Sequence, residues 1–167
     1  RGQLALPYFW LVDPLDGTHN FVHKTGDFAI VIGLCDGNKP VLGVVYLPAS
    51  GTLYFAEKGK GAFKQIASKA PRRVRVSHRT KNLKMAVSRL TPKSYDTTVA
   101  KALGVKDTQR AGSCSIKVGL IAEGSVDFYV YIPERCGGEW DTCGPEIIVK
   151  EAGGKITNCW GKQFKYN

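Results

Sequence analysis

The sequence predicts a layered α/β fold in which two mixed sheets alternate with helices. Three observations predict it. The first half carries β-branched runs joined by tight-turn residues, and the second half alternates strand and helix patterns. Across 167 residues the hydrophobic content is 43%, enough for one substantial buried core.

Taken in chain order, Phe9-Trp10-Leu11-Val12 reads as a buried strand that stops where Asp13-Pro14 forces extended geometry on the aspartate. The acid therefore sits at a strand end. Phe28 to Cys35 and Pro40 to Leu47 form a hairpin across Asp36-Gly37-Asn38-Lys39, and Thr52 to Glu57 and Gly61 to Lys64 continue the meander through a Gly59-Lys60-Gly61 turn. Between Ala67 and Leu83 the chain turns polar and basic, which places a change of layer there. This divides the chain into residues 1–83, an N-terminal α+β part, and residues 84–167, a C-terminal α/β part. The second part starts with a strand over Met85 to Ser88, a helix over Lys93 to Leu103 ended by Gly104, and a strand near Thr108 to Ala111. A helix over Ser115 to Ala122 closed by Gly124 and a strand over Val126 to Ile132 follow. Trp140 to Ala152 then reads as a helix stopped by Gly153-Gly154, and Lys155 to Asn158 as a last strand.

Composition narrows the function classes. Lys and Arg outnumber Asp and Glu 24 to 14, and the net charge of +10 favours an anionic partner. The basic residues are dispersed apart from Arg72-Arg73-Val74-Arg75 and lack interleaved stacking aromatics, which argues against nucleic acid. No apolar run approaches the roughly 20 residues that span a bilayer, so no membrane partner is expected. Five scattered cysteines without zinc-site spacing read as reduced thiols in a cytoplasmic protein. The chain opens on Arg1 and enters its first strand at once, which reads as an N-terminally truncated chain.

Asp13 and Asp16 flank Pro14-Leu15 on a turn leaving a strand, so both carboxylates and the intervening carbonyls can converge on a hard cation such as Mg2+. Asp141, at the start of the Trp140 helix, is the best third ligand. Singly, each has an ordinary reading as turn former or helix cap. Gly17-Thr18 adds a close-approach glycine and a hydroxyl where free N–H groups can meet phosphate.

Asp13-Pro14-Leu15-Asp16-Gly17-Thr18 resembles the DPxDGT signature of the inositol monophosphatase superfamily. Trp140-Asp141-Thr142-Cys143-Gly144, running into Glu151-Ala152-Gly153-Gly154, resembles that superfamily's WDxxA and EAGG segments, with Gly144 where alanine is usual. The resemblance implies an αβαβα sandwich of the inositol monophosphatase / fructose-1,6-bisphosphatase type and a Mg2+-dependent phosphomonoesterase acting on a small phosphate ester. Asp13 would bridge two metals, the Leu15 carbonyl would bind the first, and Asp16 and Asp141 the second. Gly17 and Thr18 would contact phosphate, and Thr18 would also help activate the attacking water. In-line attack without a phosphoenzyme, lithium inhibition and a homodimeric assembly are also compatible with the resemblance. The family's further metal-binding glutamate precedes the signature strand, and nothing ahead of Asp13 is acidic here. The missing part would also cover one face of the first sheet, leaving Phe21, Phe28 and Phe55 exposed.

Within the superfamily, Ser88-Arg89 and Gly112-Ser113 followed by Ser115-Ile116-Lys117 are similar to the nucleotide-side segments of bacterial 3'(2'),5'-bisphosphate nucleotidases. Lys117 would grip a second phosphate, with Ser113 or Ser115 donating hydrogen bonds. Two features run the other way. Tyr131 stands where those nucleotidases often carry arginine, with Arg135 out of register. Glu134 stands at the offset of the hydroxyl-binding glutamate of inositol monophosphatases. The expected activity is hydrolysis of adenosine 3',5'-bisphosphate to AMP and phosphate. The alternatives are an inositol or sugar phosphatase and an inactive basic module that binds polyanions. His19, His23 and His78 read as surface or pocket-rim residues, and Cys143 as a packing residue whose oxidation would reach the neighbouring aspartate.

Overall fold

The computed structural model describes residues 7–90, 94–132 and 138–166. Its first half is a meander of six antiparallel strands in spatial order of sequence: β1 (Tyr8–Asp16), β2 (Ala29–Asp36), β3 (Lys39–Leu47), β4 (Thr52–Glu57), β5 (Gly61–Ile66) and β6 (Arg72–Val74). A short helix, α1 (Thr18–Val22), separates β1 from β2. The expected hairpin turn forms with Asp36 opposite Lys39. Gly37 takes φ 58°, the left-handed geometry that a two-residue turn with glycine first requires.

The second half builds a three-stranded parallel sheet from β7 (Lys84–Ser88), β8 (Asp107–Ala111) and β9 (Phe128–Tyr129), in the order β8-β7-β9. Helices α2 (Ser94–Ala102) and α3 (Cys114–Ala122) make its crossovers, and α4 (Cys143–Glu151) follows a 3-10 turn at Glu139–Asp141. Neither sheet is mixed among the described residues. From β2 to β6 the connections are too short for a crossover and force antiparallel pairing, whereas helical connections permit parallel pairing in the second sheet.

Layering follows from which faces are apolar. Ala29, Val31, Val45, Tyr54, Ala56, Ala62 and Val74 of the first sheet meet Ala122 of α3 and Ile148 and Ala152 at α4, and this is the main core. α3 also contacts β7 and β9, so the α3–α4 layer lies between the two sheets.

Several elements differ from their sequence reading. β1 is not a buried strand. Its side chains alternate, and Tyr8, Trp10 and Val12 are 59%, 58% and 51% exposed, while Phe9 and Leu11 face a second core cluster around Cys35, Cys143 and Tyr166. Phe21 is exposed as expected and packs edge-on against Phe28 at 5.0 Å between ring centres, whereas Phe28 and Phe55 are half-buried. The Trp140–Ala152 helix is broken at Thr142. Pro145 has no N–H to donate back to Asp141, so the α-helix begins with the proline in its first turn. Residues 155–158 form no strand, because their segment makes local hydrogen bonds, with Asn158 N–H donating to Lys162 O at 2.9 Å.

The start of α4 lies directly on the backbones of β2 and β3. A Cβ on Gly43 would stand 2.2 Å from the Gly144 oxygen, one on Gly33 would stand 2.5 Å from Cys143 Sγ, and one on Gly144 would stand 2.6 Å from the Ile32 oxygen. The last contact explains glycine rather than alanine at 144. Gly43→Ala should therefore lower the urea midpoint without changing the m-value, a loss of about 1–3 kcal/mol from overpacking against helix backbone that has nowhere to move.

Candidate metal centre

The end of β1 is shaped by its own local chemistry. The β1–β2 register shifts between Asp13 and Asp16, where Pro14 cannot donate to the ladder. Leu15 N–H donates to Asp13 Oδ1 at 2.9 Å, closing a tight turn that presents the Asp13 carboxylate at the strand end. Gly17 then takes φ 86°, and a Cβ there would lie 2.8 Å from Ser113 Cβ and 2.9 Å from the Asp27 oxygen. Glycine is required on both counts. Thr18 opens α1, and its hydroxyl donates to Leu15 O at 3.1 Å.

Asp141 arrives from the opposite side on the 3-10 turn, its Oδ2 accepting from Gly138 N–H at 2.8 Å. Asp16 is buried and its Oδ2 accepts from Ser115 N–H, in the first turn of α3, at 2.9 Å. One carboxylate oxygen from each of Asp13, Asp16 and Asp141 lies within 4.8 Å of the others. Burial, then the hydrogen bond with Asp13, then the Asp16 and Asp13 charges push the Asp141 carboxyl up to about 6, against the lowering effect of the Gly138 N–H. Three acids crowded together with only oxygen donors suit a hard divalent cation, whose charge would relieve this crowding.

The three carboxylates open onto a cavity of about 1000 Å³, and Leu15, Gly17, Thr18, Ser88, Ser113 and Lys117 also line it. Lys117 differs from its expected posture. It is 2% exposed, and its Nζ donates to Gly112 O at 3.0 Å and Ser113 O at 3.3 Å. Burial lowers its pKa against the raising effect of nearby Cys114, Asp16, Asp96 and Asp27. The ammonium thus holds the 112–113 loop under the cavity floor. Arg89 is outside the cavity wall, its Nε donating to the Asp27 carboxylate. Ser115 is fully buried with its hydroxyl unpartnered, and it reaches the site through its backbone N–H on Asp16. Glu134 and Arg135 lie outside the described residues.

His19 and His23 are exposed, with ring centres 4.3 Å apart, and neither they nor His78 line the cavity. Cys143 sits behind Asp141 as a buried thiol 3.3 Å from Cys35 Sγ, and burial pushes both thiols up. The sequence reading did not pick out the Gly138 and Ser115 N–H donors, nor Tyr129, Tyr131, Trp140 and Trp160 as cavity walls. Gly138, two positions before Trp140, and the Gly-Ser step before α3 are the local signals for the donors.

The Asp141 shift has a thermodynamic consequence. Its folded-state pKa lies above the unfolded value, so the folded protein holds the extra proton between about pH 4 and 6 and loses stability as pH rises through that window. In metal-free protein, Asp141→Asn should raise stability at pH 7 by on the order of 1 kcal/mol, allowing for solvent screening, and the gain should vanish below about pH 4. Urea unfolding in chelator at both pH values checks this.

Comparison with known proteins agrees with the site. The inositol monophosphatase family model matches residues 4–167. The 3'(2'),5'-bisphosphate nucleotidase CysQ of Haemophilus influenzae is 34% identical over 160 residues, covering 95% of this chain and 59% of the relative. Inositol monophosphatase 2 of Solanum lycopersicum is 35% identical over 164 residues, covering 93% and 59%. Among solved structures, CysQ from Bacteroides thetaiotaomicron superposes with a TM-score of 0.84 at 27% identity, covering 97% of this chain and 66% of that one. The Thermotoga maritima IMPase TM1415 gives 0.78 at 29% identity, covering 95% and 60%. The chain spans about 59% of the length of the first two relatives. With the signature turn, the acidic cluster and the layered fold in agreement, the chain belongs to the inositol monophosphatase family.

Proposed function

We propose that the protein is a Mg2+-dependent phosphomonoesterase that hydrolyses a 3'(2'),5'-bisphosphate nucleotide, adenosine 3',5'-bisphosphate giving AMP and phosphate. The observation that carries the reading is the convergence of Asp13, Asp16 and Asp141 on one wall of a cavity large enough for a nucleotide. Relatives named bisphosphate nucleotidases support the substrate class.

Asp13, Asp16, Asp141 and the Leu15 carbonyl would hold the cation, which when bound supplies charge neutralisation at the phosphoryl oxygens and lowers the pKa of the attacking water. The chain's own residues do the rest. Gly17 admits the phosphate close to backbone N–H groups. Thr18, with its hydroxyl already directed at Leu15 O, is placed to orient the water for in-line attack. The Ser115 and Gly138 N–H groups keep the Asp16 and Asp141 carboxylates aimed at the common point. Ser88 and Ser113 in the wall are candidate donors to the substrate, and Lys117 acts on the loop that carries Ser113.

An inositol phosphatase is the second reading, favoured by the tomato inositol monophosphatases among the relatives. The two separate on substrate. With Mg2+, the full-length protein should turn over adenosine 3',5'-bisphosphate faster than inositol 1-phosphate, and the reverse order rejects the nucleotidase assignment. Asp13→Ala and Asp141→Ala should each lower kcat/KM by about a thousandfold or more, since each removes a charged ligand from the centre. Full activity in either variant would remove the metal assignment.

A further inference from the structure

The side of the cavity away from the signature turn is aromatic. Tyr129 and Tyr131 are two residues apart along an extended segment, so they share a face, and their rings stack at 6.2 Å between centres with 26° between planes. Behind them the Lys117 ammonium stands 4.7 Å from the Tyr129 ring centre. Tyr129 thus neighbours both the buried Lys117 ammonium and the more exposed Tyr131 ring. The inner end is rigid, because Lys117 is 2% exposed and hydrogen-bonded to the Gly112 and Ser113 carbonyls. The outer end is anchored too, since Ile132 N–H, one residue beyond Tyr131, donates to the Tyr95 hydroxyl at 3.3 Å. Tyr131 itself is 48% exposed. It lines both the 1000 Å³ cavity and a neighbouring cavity of about 620 Å³, and Asp141 lines both as well.

We infer that Tyr131 is a ring-stacking subsite: the cavity binds a phosphate ester whose alcohol carries a planar aromatic ring, with the phosphate at the acidic cluster and the ring against the exposed Tyr131 side chain. The inference rests on the proposed phosphate-ester site and deepens it. A nucleobase offers Tyr131 a planar π-face, which a polyol lacks. An ordered aromatic platform needs little loss of side-chain freedom to receive a ring, and stacking tolerates any base because every base has a π-face. This assigns selection for the ring to a tyrosine at the place where an arginine would instead select for charge.

Calorimetric titration of the full-length protein in Mg2+ with AMP and with ribose 5-phosphate tests the subsite, because the two ligands share phosphate and sugar and differ in the base. AMP should bind about tenfold more tightly than ribose 5-phosphate, Tyr131→Leu should abolish that preference, and Tyr131→Phe should keep it. Equal binding of the two ligands, binding of neither, or a preference that survives Tyr131→Leu would each overturn the subsite. These outcomes are read without turnover. Failure of phosphate-ester hydrolysis would count against the proposed activity alone, while an AMP preference lost in Tyr131→Leu would still support the ring subsite.

Discussion

The seating of one helix end on bare strand backbone is the constraint on which the site depends. Gly33 and Gly43 leave no side chains between β2, β3 and the first residues of α4, and Gly144 removes the one on the helix side. With three Cβ atoms absent, the helix start sinks onto the sheet at backbone contact, and this brings Asp141, two residues upstream of α4, level with Asp13 on β1. A sheet–helix interface padded by ordinary side chains would hold the two carboxylates apart. The opposite approach, Gly17 against Ser113 and Asp27, draws the signature turn toward α3 so that Asp16 meets the Ser115 N–H. The acidic cluster is thus a product of close packing as much as of residue choice.

The parts legible in the sequence are those decided within a few residues. The Asp13–Thr18 turn, the Asp36–Lys39 hairpin and the stop of α4 at Gly153 depend on local backbone chemistry, and each forms where its residues call for it. Hydrophobic alternation likewise located most strands. What the sequence does not disclose are contacts between distant segments. Arg89 reads as a substrate ligand, and only the fold shows its Nε donating to Asp27, 62 positions earlier. Ser115 reads as a hydroxyl donor, yet its backbone serves Asp16, 99 positions away, while its hydroxyl is enclosed. Lys117 on a polar-looking helix start reads as a free cation, and only the fold shows it turned beneath the loop. The misread strand at 155–158 has the same origin, since apolar alternation cannot reveal whether a neighbour is present to pair with it.

Charge distribution and site fit together. A chain carrying +10 keeps three carboxylates in close contact, and the hydrogen bonds of the buried Lys117 ammonium go to the Gly112 and Ser113 carbonyls. The cluster therefore concentrates negative charge where a cation could be held, while the dispersed surface bases favour anion approach over a wide angle. The first sheet adds a different requirement. Tyr8, Trp10 and Val12 form an exposed apolar strip along β1, and a strip of this kind on a sheet promotes association wherever it is left open.

At its far end α4 is held by a second contact, less conspicuous than the first. Both Glu151 oxygens accept backbone N–H groups, from Gly59 and Gly61, each at 2.9 Å, across the β4–β5 turn. A helix about 13 Å long is therefore pinned at one end by glycine backbone and at the other by a carboxylate clasp. The exposed β4–β5 turn is thus tied through its backbone to the same helix whose start follows the 3-10 turn that carries Asp141.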